Sequence, residues 1–325
     1  MNRKIRIGIV GYGNLGRGTE LAISGNPDME LVAIFTRREP DVLNSKSNVM
    51  HISKILDFKN KIDVMVLCGG SARDLDEQGP MVVSHFNTVD SFDNHGRIPE
   101  YFEKINKSAR KSSRLGLISV GWDPGLFSLN RLLGLSVLPK GQNYTFWGDG
   151  ISQGHSDAIR KIKGVKNGVQ YTIPVQEVLD KVRNYENINI PPNRRHKRIC
   201  YVCAEDNADL KEIENKIKTM PGYFAGYDTS VFFISEEELI KNHSKMPHGG
   251  VVIQTGVTGK DNRQAIEFKL TLDSNPEFTS SVVVAYARAV FRLSEEGKTG
   301  AISVFDVPFA YLSPMSGEEL RRKLL

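Results

Sequence analysis

An apolar strand that runs straight into a glycine loop constrains this chain more than any other feature. Ile5-Arg6-Ile7-Gly8-Ile9-Val10 is followed directly by Gly11-Tyr12-Gly13-Asn14-Leu15-Gly16. A G-x-G-x-x-G alone is weak, because glycine is common. At the junction of a buried-type strand and a helix, opening a βαβ unit, it is the signature of a dinucleotide site. Gly11 permits the tight turn, Gly13 lets backbone approach a pyrophosphate, and Gly16 lets the helix pack close to the strand. Tyr12, Asn14 and Leu15 complete the loop, whose helix N-terminus offers N–H groups to phosphate.

The rest of the first third keeps the same grammar. Glu30 to Phe35, Asp63 to Cys68, His85 to Val89 and Leu115 to Val120 read as strands, with helical stretches such as Ile98 to Ser112 between them. Apolar strands alternating with helices imply a parallel sheet covered on both faces, hence an α/β, Rossmann-type doubly wound domain. After Trp122 glycine and proline become frequent. Strand-like runs dominate: Tyr144–Trp147, Gly168–Ile173, Lys197–Ala204, Thr229–Ile234, Val251–Thr255 and Ala265–Leu272. Ala208 to Met220 and Ser280 to Leu293 read as helices. The expectation is a dinucleotide-binding domain over 1–122 and a second, α+β domain over 123–294. That second domain is mainly antiparallel and is assigned to substrate binding and dimerisation. The segment from about 295 to 325 is a candidate for return to the first domain. A chain of 325 residues suits two domains.

The end of the second strand bears on which nucleotide binds. NAD sites usually place a carboxylate there for the ribose 2′-hydroxyl. This chain has Thr36-Arg37-Arg38, and two guanidiniums could clamp a 2′-phosphate. NADP is therefore favoured. Gly69-Gly70-Ser71 and Ala72 follow the third strand, where small residues let backbone approach a cofactor, although an ordinary turn reads equally well. Ser91-Phe92-Asp93 follows the fourth strand, and Val120-Gly121-Trp122-Asp123-Pro124 the fifth, and both segments are expected to bind the cofactor as well. Ligands of open α/β sheets bind beyond these strand ends. Asp93 and Asp123 could hold an ammonium there, but Asp123-Pro124-Gly125 also suits a β-turn by itself.

Other classes fall away. The net charge of +5 is mild and dispersed, which could attract an anionic ligand but does not argue for nucleic acid. The cluster Arg194 to Arg198 reads as a solvated loop or an intramolecular anion site. Three cysteines make no disulfide framework. Cys200 and Cys203, three apart on a strand, point to opposite faces and share no metal; no metal site is expected. No apolar run is long enough for a bilayer, and the N-terminus lacks the pattern of a signal peptide. The expected compartment is the cytoplasm, with no membrane partner.

Later motifs are more specific than the glycine loop. In order stand Asp93-Asn94-His95, Gly121-Trp122-Asp123-Pro124-Gly125, Phe146-Trp147-Gly148 and Ser152-Gln153-Gly154-His155-Ser156-Asp157. Gln170-Tyr171-Thr172, His196-Lys197-Arg198, Met246-Pro247-His248-Gly249-Gly250 and Asn275-Pro276 follow. From about Ile5 to Ser313 the series resembles the meso-diaminopimelate dehydrogenase family. The resemblance implies NADP-dependent, reversible oxidative deamination of the D-centre of meso-2,6-diaminopimelate, giving L-2-amino-6-oxopimelate and ammonia, in a homodimer. It implies Asp93, Asp123, Trp147, Gln153 and Gly154 around the reacting D-centre, with Asp93 and Asp123 as the catalytic pair. Around the distal L-centre it implies Thr172, Arg198, His248 and Asn275. Two other readings share only the glycine loop: another Rossmann reductase, such as dihydrodipicolinate reductase, and a non-catalytic NADP sensor.

Overall fold

The computed structural model describes residues 3–43, 45–71, 74–186 and 188–325. Ala72 lies outside them. The chain forms two compact units, 1–129 with 276–325, and 130–275.

The first unit is built on a seven-stranded parallel sheet. Its labelled strands are β1 (Ile5–Val10), β2 (Met29–Thr36), β3 (Val49–His51), β4 (Val64–Leu67), β5 (Asn87–Asp90) and β6 (Leu115–Leu117). The order across the sheet is Gly300–Ile302, β6, β5, β4, β1, β2, β3. Every pair is parallel. Both faces are covered, which is why β1 and β4 are apolar nearly throughout. On one face Ile7, Ile9, Ile34 and Val66 pack against Val283, Val284, Ala287 and Val290 of the helix Asn275–Glu295. On the other, Phe35, Met65 and Leu67 pack against residues of α2 (Leu75–Val83) and α3 (Ile98–Lys111), including Val82, Val83 and Ile105.

Two strands of this sheet escaped the sequence reading. Val49–His51 and Gly300–Ile302 are three residues each, too short to show a period. The second pairs with β6. The sequence reading set its second limit at 294, whereas the chain re-enters the first unit at Pro276. The valines of the long helix explain the difference, since they cover this sheet's apolar face.

The second unit holds two smaller sheets. Its strands are β7 (Gln142–Trp147), β8 (Gly150–Ile151), β9 (Val165–Pro174), β10 (His196–Ala204), β11 (Asp228–Phe233), β12 (His248–Thr258) and β13 (Asn262–Leu272). One sheet runs β13-β12-β7 and the other β11-β10-β9-β8. All pairs are antiparallel except β10 with β11. That parallel pair departs from an all-antiparallel arrangement because the helix Leu210–Lys218 crosses over between the strands. Its Ile213 and Ile217 pack on Cys200 and Val202. Cys200 and Cys203 are both buried and free, and burial pushes the Cys200 thiol up to about 12. Among the described residues, no helix is long and apolar enough to cross a membrane.

Candidate active site

In the first unit, the sequence-derived loops gather at the carboxyl ends of the parallel strands. Gly11 has φ +92°, a left-handed conformation, and a Cβ on Gly16 would lie 2.2 Å from the Gly11 carbonyl oxygen. Only glycine suits either place. Helix α1 (Asn14–Ser24) begins at Gly13, with no side-chain cap and no acid in its first turn. A Cβ on Gly13 would meet nothing within 4 Å, so backbone is open to a ligand there. A cleft of about 360 Å³ is lined by Gly11, Tyr12, Gly13, Thr36, Arg37, Arg38, Gly69 and Gly70. Leu15 and Asn14 sit behind it in the first turn of α1.

The cationic end of this cleft holds a residue the sequence reading missed. Arg37 donates to Asp74 Oδ1 at 2.6 Å, and Asp74 Oδ2 accepts from Gly70 N–H at 3.0 Å. No carboxylate stands at the end of β2 itself, but one arrives from the loop after β4. Arg38 donates to the Tyr12 carbonyl, and its own N–H donates to Thr36 Oγ1 at 3.2 Å. Asp74 is separated from Arg37 by 37 residues, so no local pattern announces their pairing.

The two carboxylates singled out from sequence stand at the ends of β5 and β6. Asp93 is exposed and Asp123 partly buried. The Asp93 N–H donates to Ser71 Oγ at 3.0 Å, which ties the loop after β4 to the loop after β5. Phe92 is fully buried, as are Val120 and Gly121. Trp122 is 7% exposed and meets Phe127 edge-on, with centroids 5.2 Å apart. Pro124 follows in the turn that Trp122 and Gly125 close by a β-bridge. Beneath these loops lies Asp90, a buried carboxylate that the sequence reading passed over. Burial pushes it up to about 6, against hydrogen bonds from Ser119, Phe92 and Tyr101 that pull it down.

The second unit assembles the other group. Trp147 ends β7; its N–H donates to His196 Nε2 at 2.9 Å, and the two rings lie 5.3 Å apart. Thr172 on β9 stands opposite Arg198 on β10. Arg198 is 8% exposed, donates to Thr172 Oγ1 and lies 4.3 Å over the Tyr227 ring. Its Nε is buried without a partner. A hydroxyl and an aromatic face, rather than a carboxylate, meet this charge, and burial lowers the guanidinium's pKa. Gln170 also donates to Thr172 Oγ1, at 3.3 Å. With both lone pairs so used, the Thr172 hydroxyl keeps its proton to donate.

The helix Gln153–Arg160 begins at Gln153, whose amide reaches Met246 Sδ at 3.3 Å. A Cβ on Gly154 would meet nothing within 4 Å. His248 opens β12, and Gly249 N–H donates to its Nδ1 at 2.8 Å. Asn275 N–H donates to the Met246 carbonyl at 2.9 Å. His155 and Tyr227 are further residues that no role was given from sequence. Burial and the nearby Arg198 push His155 down to about 4, so it stands neutral beside that cation at neutral pH.

Residues 121–274 match the model of the diaminopimelic acid dehydrogenase C-terminal domain. The meso-diaminopimelate D-dehydrogenase of Ureibacillus thermosphaericus is 61% identical over 324 residues, 99% of each chain. The chain belongs to the meso-diaminopimelate D-dehydrogenase family. That is a family of amino-acid oxidoreductases. The structure of the C. glutamicum DAP dehydrogenase in complex with DAP superposes with a TM-score of 0.95 at 44% identity, covering 100% of both chains. An engineered D-amino acid dehydrogenase bound to NADP⁺ gives a TM-score of 0.90 at 43% identity, over 99% of this chain and 100% of its own. Likeness of this extent removes the two readings that shared only the glycine loop.

Proposed function

We propose that this enzyme uses NADP to oxidise the D-centre of meso-2,6-diaminopimelate reversibly, giving L-2-amino-6-oxopimelate and ammonia. Its place is in lysine and cell-wall precursor biosynthesis. The observation that carries the substrate assignment is Arg198, buried with an unpartnered Nε beside a Thr172 hydroxyl that is free to donate. A cation left so is a site for a carboxylate, and a diaminopimelate has a second amino-acid head to supply one. His248 and Asn275 serve the polar groups of the same head.

The first unit is the dinucleotide domain. Gly11, Gly13 and the first turn of α1 fit a pyrophosphate; Thr36, Arg37 and Arg38 fit a 2′-phosphate. Arg37 shares its charge with Asp74, so Arg38 carries more of that contact. NADP, when bound, supplies a hydride acceptor. The chain's own part is positioning. Asp93 orients the substrate ammonium, and Asp123 takes a proton from its nitrogen as the C–N bond gains double-bond character. In the second unit, Trp147, held by His196, offers an apolar wall, with Gln153 and Gly154 as further substrate-binding residues.

The second unit also carries dimerisation in this reading. Leu132, Leu133, Leu135 and Val137, on the second-unit part of the helix Leu126–Val137, are 46–55% exposed, which supports a covered face in a homodimer. Sedimentation should give twice the 36.3 kDa chain mass; a stable monomer at micromolar concentration would count against it. The compartment is the cytoplasm, and neither nucleic acid nor membrane is a partner. The deciding assay is NADPH formation from the meso, LL and DD isomers, with NAD in parallel. Turnover of the meso isomer with NADP is expected; equal use of all three isomers, or of both nucleotides, would overturn the assignment.

A further inference from the structure

Asp90 closes β5 and is 1% exposed. Three donors converge on its carboxylate. Phe92 N–H and Ser119 N–H both donate to Oδ1 at 3.0 Å, and the Tyr101 hydroxyl donates to Oδ2 at 2.8 Å. The Asp90 carbonyl accepts from Val120 N–H at 2.8 Å. None of these partners is a cation, so the fold keeps an uncompensated buried carboxylate, which is costly. Two further facts show what it holds. Ser119 has φ +59°, a left-handed conformation that is strained for a non-glycine residue, and its hydroxyl is buried without a partner among the described residues. The Phe92 ring stacks on Tyr101 with centroids 4.1 Å apart and planes 9° from parallel. Asp90, Phe92 and Tyr101 thus form a closed triangle, from which the chain passes directly to Asp93.

We propose that Asp90 is a positioning residue that locks the segments 91–93 and 119–123 to one another, so that Asp93 and Asp123 are presented together. This rests on the roles proposed above for those two carboxylates. Asp90 touches neither substrate nor cofactor in this scheme; it acts through the backbone of its neighbours. What matters is the shape of its acceptor array. Asn in its place keeps an oxygen for Phe92 and Ser119, and its amide can donate to the Tyr101 oxygen. Glu keeps the charge but moves the oxygens by a methylene.

The test is therefore the crossed pair Asp90→Asn and Asp90→Glu. Asp90→Asn should keep kcat within about threefold, since hydrogen bonds of the same geometry remain. Asp90→Glu should lower kcat by about tenfold or more, because small displacements of reacting groups are costly. The NADP dissociation constant should change less than kcat, as the glycine loop that would hold the pyrophosphate is untouched. In an Asp123→Asn background the Glu effect should shrink, because groups acting as one unit are not additive; mere loss of folded enzyme would persist there. Amide exchange at Phe92 and Ser119 reads the lock itself: slow in wild type and the Asn variant, fast in the Glu variant. Should the Glu variant fail to fold, Tyr101→Phe, which keeps the ring stack, should give a smaller kcat loss that also shrinks with Asp123→Asn. An Asn variant as impaired as Glu, an active Glu variant, equal losses in both backgrounds, or Tyr101→Phe at full kcat would overturn the inference. If wild-type enzyme makes no NADPH from meso-diaminopimelate, the proposed function fails instead, and the exchange pattern still decides the lock.

Discussion

Exposed pairs such as Arg37–Asp74 aside, the two ends of the seven-stranded sheet treat their less exposed carboxylates in opposite ways. At the amino ends of the strands, carboxylates meet arginines. Asp63 accepts from Arg3 at 2.5 Å and from Arg6 at 2.8 Å; burial alone would raise it, but these bonds outweigh burial and bring it to about 2. Asp28 accepts from Arg288, which is 2% exposed and also donates to Asn26 and to the Leu312 carbonyl. Hydrogen bonding to Arg288 holds Asp28 below its usual range. At the carboxyl ends, Asp90 has donors but no cation and is pushed up. Where both signs are supplied in place, the charges hold the chain together. Where one sign is left uncompensated, the protein holds room for a ligand or holds the loops that meet one. The second unit repeats the latter case in Arg198.

Breaking the amino end should cost stability and spare catalysis. The largest effect is expected for Arg288→Met, which strands Asp28 and orphans the Leu312 carbonyl. Arg288 is buried and Asp28 half-buried, so the loss is expected at the low end of the range for broken buried pairs, about 3 kcal/mol. Urea unfolding should show it, while activity per folded molecule stays unchanged. A large fall in kcat with normal stability would erase the distinction between the two ends.

Breaking the carboxyl end should do the reverse. Asp123→Asn should lower kcat by about a hundredfold, or about 2.7 kcal/mol, with little change in melting temperature. Arg198→Met carries the same contrast into the second unit. A charge-assisted hydrogen bond contributes about 1.5–3 kcal/mol, so specificity for meso-diaminopimelate should fall roughly ten- to a hundredfold. Activity on simple D-amino acids and NADP affinity should stay nearly unchanged. Retained preference for the meso isomer, or lost NADP binding, would sink the distal-pocket assignment.

The sequence was informative where function depends on local pattern. Gly11 to Gly16 could be read because a strand, a turn and a helix start are contiguous. Asp123 could be located at a strand end but not separated from turn chemistry, and Arg198 acquired a role only through the family's motif series. What stayed hidden depends on long-range pairing. Asp90 looks like one more polar residue after a strand until Tyr101 and Ser119 are brought to it. Asp74 sits in a loop whose nearness to Arg37 is set by the order of β1, β2 and β4. Three-residue strands carry no period, and the boundary at Pro276 is set by which sheet the valines of the last long helix cover.

The smallest expected effect is also the sharpest separation of the two ends, because Asp63 and Asp90 should respond to pH with opposite signs. Asp63 has a folded pKa of about 2, below the unfolded value of about 3.9. Its contribution is present above the unfolded pKa and is lost as pH falls through the folded one. Arg3 and Arg6 are partly exposed, so screening reduces that contribution to about 1–2 kcal/mol. Asp90 has a folded pKa of about 6, above the same unfolded value. Its contribution is present below the unfolded pKa and is lost as pH rises through about 6. Asp63→Asn should therefore destabilise the protein equally at about pH 4.5 and about pH 7.5, with the deficit closing only in stronger acid. Asp90→Asn should become more stable relative to wild type between those same two conditions, because the wild type alone must ionise a buried carboxyl there. Urea titrations of the three proteins at both pH values measure the gaps directly. If the Asp90→Asn gap stayed constant while the Asp63→Asn gap moved, charge would be uncompensated at the amino end instead, and the comparison would have to be reversed.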